Sequence, residues 1–134
     1  IRPGKPIMFA RFKSNTVFFG LPGNPISSAA CFRFFLIPLL FSSIGIKEDR
    51  PIFAKIKNSF IKKKNFTRFI KGKISFSKKG NVEFEILKGQ ESYKINPFSK
   101  SNVWGFLPAG IKIFKKGTFI QCYSSTGINE LFAN

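Results

Sequence analysis

Six residues of turn chemistry, Gly20-Leu21-Pro22-Gly23-Asn24-Pro25, constrain this chain more than any other segment. They separate a strand-like run, Thr16-Val17-Phe18-Phe19, from a long apolar stretch that starts at Ile26. Pro22 and Pro25 each fix φ near about −65° and lack an N–H. Gly23 permits close backbone approach or a positive φ. Asn24 is suited to cap a helix through its side-chain oxygen, with Pro25 at the first helical position. The segment therefore predicts a rigid strand-to-helix elbow, and backbone N–H groups at a helix start attract anions.

The elbow sits in the first of two composition regimes, with a boundary near Gly45 to Pro51. Before the elbow, Pro6 to Ala10 and Val17 to Phe19 predict two short strands joined by a Lys13-Ser14-Asn15 turn. After it, Ile26 to Ile44 predicts a helix in which only Arg33 is charged, so that most of its faces should be buried. Pro38 should kink or weaken that helix, and Gly45 should cap its end. Two strands and one apolar helix cannot bury each other, which leads us to expect the C-terminal fragment of a longer protein. Phe34 to Phe41 is an unbroken apolar run of eight residues, against the roughly 20 that a membrane span needs, so no membrane partner is expected.

From about Pro51 to Tyr123 the pattern changes to period two. Ile52, Ala54 and Ile56 alternate with Phe53, Lys55 and Lys57; Arg68, Ile70, Gly72 and Ile74 alternate with Phe69, Lys71, Lys73 and Ser75; Val82, Phe84 and Ile86 alternate with Glu83 and Glu85. Val103–107, 111–114 and 118–123 complete a set of short strands, with turn signals at Lys79-Gly80-Asn81 and Lys116-Gly117. Such spacing predicts a small barrel or sandwich. Leu131-Phe132 in the tail could dock on a neighbour.

The chain carries 23 Lys and Arg against 6 Asp and Glu, a formal charge of +17. Three accounts fit: the biased composition of a Phe-, Lys-, Ile- and Asn-rich source, an anion-binding surface, or nucleic-acid binding. The lysines mostly fall in turns or alternate with apolar residues, as solvated strand faces do. Most Phe alternate inward with Ile and Val or sit in the helix, and so read as core, which argues against a stacking surface for bases. There is no His, which removes the commonest general base and any Ser–His or Cys–His nucleophile. Cys31 and Cys122 read as buried free thiols, and two Cys without paired spacing build no zinc site.

The Leu-Pro-Gly-Asn-Pro turn, the hydrophobic strand before it and Ser27 after it resemble the C-terminal part of the molybdopterin molybdenumtransferases, the MoeA/gephyrin type of molybdenum-insertion protein. The Gly4-Lys5-Pro6 opening and Pro38 fit the same family. The resemblance implies an α+β fragment: the end of an α/β, molybdopterin-binding-like domain at residues 1–48, then a small all-β, barrel-like C-terminal domain at 49–134. It implies a cytoplasmic enzyme that, at full length, inserts molybdate into adenylylated molybdopterin with release of AMP, in a cleft of a homodimer. Magnesium and acidic catalytic residues would belong to upstream domains, leaving no metal site in this chain and its own catalytic residues unassigned; alone it should be inactive.

By the same resemblance, Pro22, Gly23, Asn24, Pro25 and Ser27 shape a pocket for molybdate or the pterin phosphate. Phe69-Ile70-Lys71-Gly72 resembles a strand that carries a molybdate-contacting Arg. Lys71 falls at that position, with Arg68 nearby, and Lys lacks the bidentate fork; either could take the role. Gln90-Glu91-Ser92 resembles a Gln-Gly-Ser segment whose serine faces the oxyanion. Asn102 and Pro108 match structural positions. Two other functions remain open: a basic barrel that binds nucleic acid, and a gephyrin-like scaffold that binds peptides.

Overall fold

The computed structural model describes residues 2–4, 7–47, 50–91 and 93–127. Ser92 and Leu131-Phe132, singled out above, lie outside them. Strands β1 (Met8–Arg11) and β2 (Val17–Gly20) form an antiparallel hairpin in which Phe9 faces Phe19. Asn15 takes a φ of 61° in the turn, a left-handed conformation that Asn tolerates.

The elbow leads into α1 (Pro25–Cys31). Asn24 Oδ1 accepts from the N–H groups of Ile26 at 3.2 Å and Ser27 at 3.4 Å, and the Ser28 hydroxyl donates back to the Pro22 carbonyl. Asn24→Ala is expected to cost about 1 kcal/mol, read as a lower denaturation midpoint with unchanged slope. Gly23 has no positive φ, and a Cβ there would meet nothing within 4 Å. The glycine's left-handed freedom is therefore not used at this turn.

A π-helical turn, Phe32–Leu36, joins α1 to α2 (Ile37–Ser43), giving 19 continuous helical residues. The Ile37 N–H bonds to the Phe32 carbonyl, five residues back. The wider turn places Pro38 in the first turn of α2, where its missing N–H costs little. The kink or weakening expected at Pro38 takes the form of a π turn just before it, and the helix runs on. It ends where expected: Gly45, at φ 75°, sends its N–H to Ser42 O, and Ile46 N–H reaches Phe41 O at 2.8 Å, the paired bonds of a Schellman cap.

Burial of the helix departs from expectation. Ile26, Ser27, Ala30, Cys31 and Arg33 are buried, but α2 buries no residue, and Leu40 and Ile44 are 53% and 68% exposed. The whole helix is long and apolar enough to cross a membrane by length and composition. Its first half is instead covered by the barrel, with Ile26 and Ala30 packed on Phe69 and Trp104. Phe34 stacks on Phe69 with centroids 3.7 Å apart. Arg33 is buried because its Nε donates to Ser124 O at 2.8 Å, which satisfies a charge on an otherwise apolar face.

The rest of the chain supplies β3 (Ile52–Ile56), β4 (Phe60–Ile61), β5 (Arg68–Phe76), β6 (Val82–Ile86), a short helix α3 (Ile95–Ser99), β7 (Val103–Leu107), β8 (Ile113–Phe114) and β9 (Phe119–Ser124). Five strands close a barrel in the order β3-β6-β5-β7-β9. The β3–β6 pair is parallel, with Lys55 opposite Glu83 and Ile56 opposite Phe84; every other pair is antiparallel. β4 and β8 form a separate two-stranded ribbon.

The inward residues are those the alternation assigns: Ala54, Ile56, Ile70, Ile74, Phe84, Ile86, Val103, Leu107, Ile120 and Cys122. Phe84 fills the middle, over Gly72 and Gly105, which have no side chain to compete with it. Both cysteines are buried free thiols, and burial pushes the Cys122 thiol up to about 12. Phenylalanine is the exception. Phe69, Phe84 and Phe114 are buried, whereas Phe9, Phe12, Phe18, Phe53, Phe76, Phe119 and the helical Phe32 are exposed, so the expectation that most Phe serve as core, inward or in the helix, fails. Phe53 and Phe119 stand on the barrel's outer face, where Lys55 covers the Phe119 ring at 5.3 Å.

Candidate functional site

Strand β5, the longest of the barrel at nine residues, carries the site. Its first residue, Arg68, forms an isolated parallel bridge with Arg2. Arg2 N–H bonds to Thr67 O at 3.0 Å, and Phe69 N–H bonds to Arg2 O at 2.8 Å. The start of the chain therefore lies against the barrel edge, held by backbone bonds that any residue could make. The Cys31 thiol donates to Gly4 O at 3.6 Å, and this fastens the same segment to α1.

Between α1 and the barrel these contacts leave a cleft of about 450 Å³, lined by Arg2, Pro3, Gly4, Ser27, Arg68, Gln90, Glu91 and Tyr93. Ser27 reaches it from the first turn of α1 and is buried. Arg68 reaches it from the barrel, half-buried, with Nη2 donating to Gln90 O at 3.3 Å and the guanidinium over the Phe60 ring. Burial and the neighbouring Arg2 charge lower the Arg68 pKa, and Glu91 opposes them. Arginine stays protonated nonetheless, so a positive charge stands at the cleft wall. Glu91 is exposed; its own backbone N–H and the Lys94 ammonium, 3.3 Å away, hold its carboxyl below the usual range.

The loop from Leu87 to Lys94 forms one wall and is clamped to β5 twice. The Gln90 amide accepts from Lys71 N–H at 2.8 Å and donates to Lys71 O at 2.7 Å. Lys71 itself is buried, and its ammonium donates to the carbonyls of Gly89, Glu91 and Lys94 at 3.0, 3.1 and 3.2 Å. Lys71 is thus neither a solvated strand lysine nor a lining residue of the cleft. Of the two basic candidates on this strand, Arg68 is the one that faces the cleft.

Pro22, Gly23, Asn24 and Pro25 stand at the elbow without lining the cleft; Asn24 and Pro25 set the helix start that delivers Ser27. Asn102 accepts from Ile74 N–H at 2.9 Å and so fixes the entry to β7. Sequence reading missed Arg2 and Tyr93. The Arg2-Pro3-Gly4 run was a usable signal for the first, because a cation between a turn and an apolar chain needs a reason to be there. Glu83, Glu85 and Glu91 are scattered, and among the described residues no three His, Cys, Asp or Glu come together. Among the described residues, none of these carboxylates is placed to share a magnesium ion with another.

A closed five-stranded barrel with a basic cleft against an appended helix defines the class of this chain. Residues 54–124, more than half of the chain, match the family described as the MoeA C-terminal region (domain IV), and the chain belongs to that family. The molybdopterin molybdenumtransferase of Synechocystis sp. is 32% identical over 125 residues, which cover 92% of this chain and 29% of that protein. The molybdopterin molybdenumtransferase of Haemophilus influenzae is 33% identical over 105 residues, 76% of this chain and 26% of that protein. The chain therefore spans less than a third of these curated relatives. The molybdopterin biosynthesis moeA protein of Pyrococcus horikoshii OT3 shares the fold, with a TM-score of 0.71 at 18% identity over 92% of this chain and 30% of that one.

Proposed function

We propose that the cleft binds an oxyanion and that the chain serves molybdenum cofactor biosynthesis as the C-terminal part of a molybdenumtransferase. At full length that enzyme inserts molybdate into adenylylated molybdopterin and releases AMP. The observation that carries the reading is the half-buried Arg68 guanidinium beside Arg2, lining the same cleft as the buried Ser27. Guanidinium N–H groups and a serine hydroxyl suit a tetrahedral dianion. The family membership and the names of the relatives support the substrate.

In this reading residues 1–48 close an α/β domain, residues 49–134 form the barrel domain, and the Ser92 hydroxyl serves the oxyanion. The catalytic carboxylates and their magnesium lie in the upstream domains of a cytoplasmic homodimer. The cargo is a small molecule rather than nucleic acid or membrane, and the 134-residue chain alone does not turn over.

Titrating molybdate into this chain tests the reading. Arg68→Ala should weaken binding roughly thirtyfold, the equivalent of about 2 kcal/mol for a charge-assisted contact, and Ser27→Ala should weaken it less. In a molybdenum-cofactor-deficient strain, the full-length protein with Arg68→Ala should restore little nitrate reductase activity. Wild-type binding and full restoration by both variants would overturn the assignment.

A further inference from the structure

Away from the cleft, α2 meets the barrel across a mostly apolar groove of about 240 Å³. Ile37, Pro38 and Phe41 form its helix side, and Phe69, Phe106 and Tyr123 its barrel side. Its floor is already packed: Phe34 stacks on Phe69 and meets the Tyr123 ring edge-on, with centroids 5.6 Å apart. The volume is that of roughly eight water molecules, room for a leucine and a phenylalanine side chain. Ile37, Pro38 and Phe41 are only half-buried there, and among the described residues none fills the space between them and the barrel.

The chain leaves the barrel at the rim of this groove. After β9 the Gly127 N–H donates to Ser124 Oγ at 3.0 Å, and Gly127, buried and at φ 91°, lines the groove. A Cβ there would lie 2.7 Å from Ile37 Cγ2 and 3.6 Å from Phe41 Cε2. The left-handed glycine thus brings the backbone against α2 at a distance that a side chain would forbid. Seven residues follow it in the sequence, Ile128-Asn129-Glu130-Leu131-Phe132-Ala133-Asn134. Their large apolar members recur at 128, 131 and 132, the spacing of one helical stripe, and Asn129 and Glu130 fall off it. From first to last such a stripe rises about 6 Å, as does α2 from Ile37 to Phe41. Even fully extended, Gly127 to Phe132 spans at most about 17 Å. A stripe tethered at the rim meets the groove at an effective concentration on the order of millimolar, an advantage that no separate partner shares.

We infer that the groove is the docking site of the segment that follows Gly127, with Leu131 and Phe132 inserted between α2 and the barrel. The neighbour on which this pair docks is then the chain's own helix. The segment forms a strap over the junction that the Arg33–Ser124 hydrogen bond begins, and α2, which buries no residue within the described part of the chain, gains its cover on the barrel side.

A nitroxide attached through Asn134→Cys, read by line broadening in the amide NMR spectrum of the chain, tests the strap. Both native thiols are buried, and burial raises their pKa values, so the label goes to the introduced thiol. The amides of Ile37, Phe41 and Phe106 should broaden. Those of the turn at Ser77 to Asn81, about 25 Å along β5 from Phe69, should not. Leu131→Ser combined with Phe132→Ser should abolish the selective broadening and lower the thermal midpoint by about 4 °C. Asn129→Ser, off the stripe, should change neither. In an equal mixture of isotope-labelled chain without nitroxide and unlabelled chain with it, the groove amides should stay sharp. Broadening in that mixture would assign the groove to the segment of a second copy. Broadening that is uniform, or that survives the double serine variant, would place the segment elsewhere. Either result overturns the inference.

Discussion

Gly72→Ala is expected to lower folding stability by about 3 kcal/mol, at the upper end of the cost of overpacking a core. A Cβ at Gly72 would lie 2.1 Å from two ring atoms of Phe84 and 2.9 Å from the Glu85 carbonyl oxygen. Neither neighbour can yield: Phe84 is fully buried at the barrel centre, and Glu85 belongs to the paired strand β6. Gly105 faces the other side of the same ring, 2.6 Å from where a Cβ would be. The two glycines and the phenylalanine are thus one packing unit. Phe84→Leu should rescue part of the Gly72→Ala loss, so that the double variant is more stable than the two single costs predict. Urea denaturation of the four proteins measures this. Strict additivity would show that the alanine is accommodated by some route other than the ring.

The second large effect is expected at Lys71. Lys71→Met keeps the length of the side chain and removes its ammonium, leaving the carbonyls of Gly89, Glu91 and Lys94 without that donor. Losing the buried charged partner of three part-buried acceptors should cost about 2 kcal/mol. The loss should concentrate in one place, because Gln90 remains as the other clamp on the loop. Amide exchange at Lys71, whose N–H is held by Gln90, should accelerate more than exchange at Ile120 or Cys122 on the far strand β9. Molybdate affinity should fall as well, since the loop carries Gln90, Glu91 and Tyr93 to the cleft. Unchanged stability and exchange would mean that the carbonyls find water and that the ammonium adds nothing.

These two residues also mark how far the sequence could be read. Gly72 and Phe84 stand on the inward side of a clean alternation, and the barrel strands follow from it because a pleated strand must send every second side chain the same way. Alternation says nothing about what later covers the outer face. Lys71 and Lys73 are equivalent by that criterion, yet the loop from Leu87 to Lys94 folds over the first, while the second stays in solvent. Short elements such as β4 and α3 complete too little of a period to be recognised. The elbow was legible because its turn residues act locally, and the cap at Asn24 needs only three consecutive residues. Arg2 was not, because its role depends on a bridge to a strand 66 positions away.

The pairing of β3 with β9 joins the first barrel strand to the last, and this sets a timetable for the nascent chain. The barrel cannot close until Ser124 has been synthesised, so its closing contacts carry the full loop entropy of about seventy intervening residues. Until then Phe69 and Trp104, which receive α1, belong to an open sheet. The hairpin and the helix, with Phe9, Phe18 and Leu40 already uncovered in the finished fold, emerge before the barrel and wait for it. A stop codon before β9 should therefore yield a species that chaperones and proteases clear, rather than a shortened barrel.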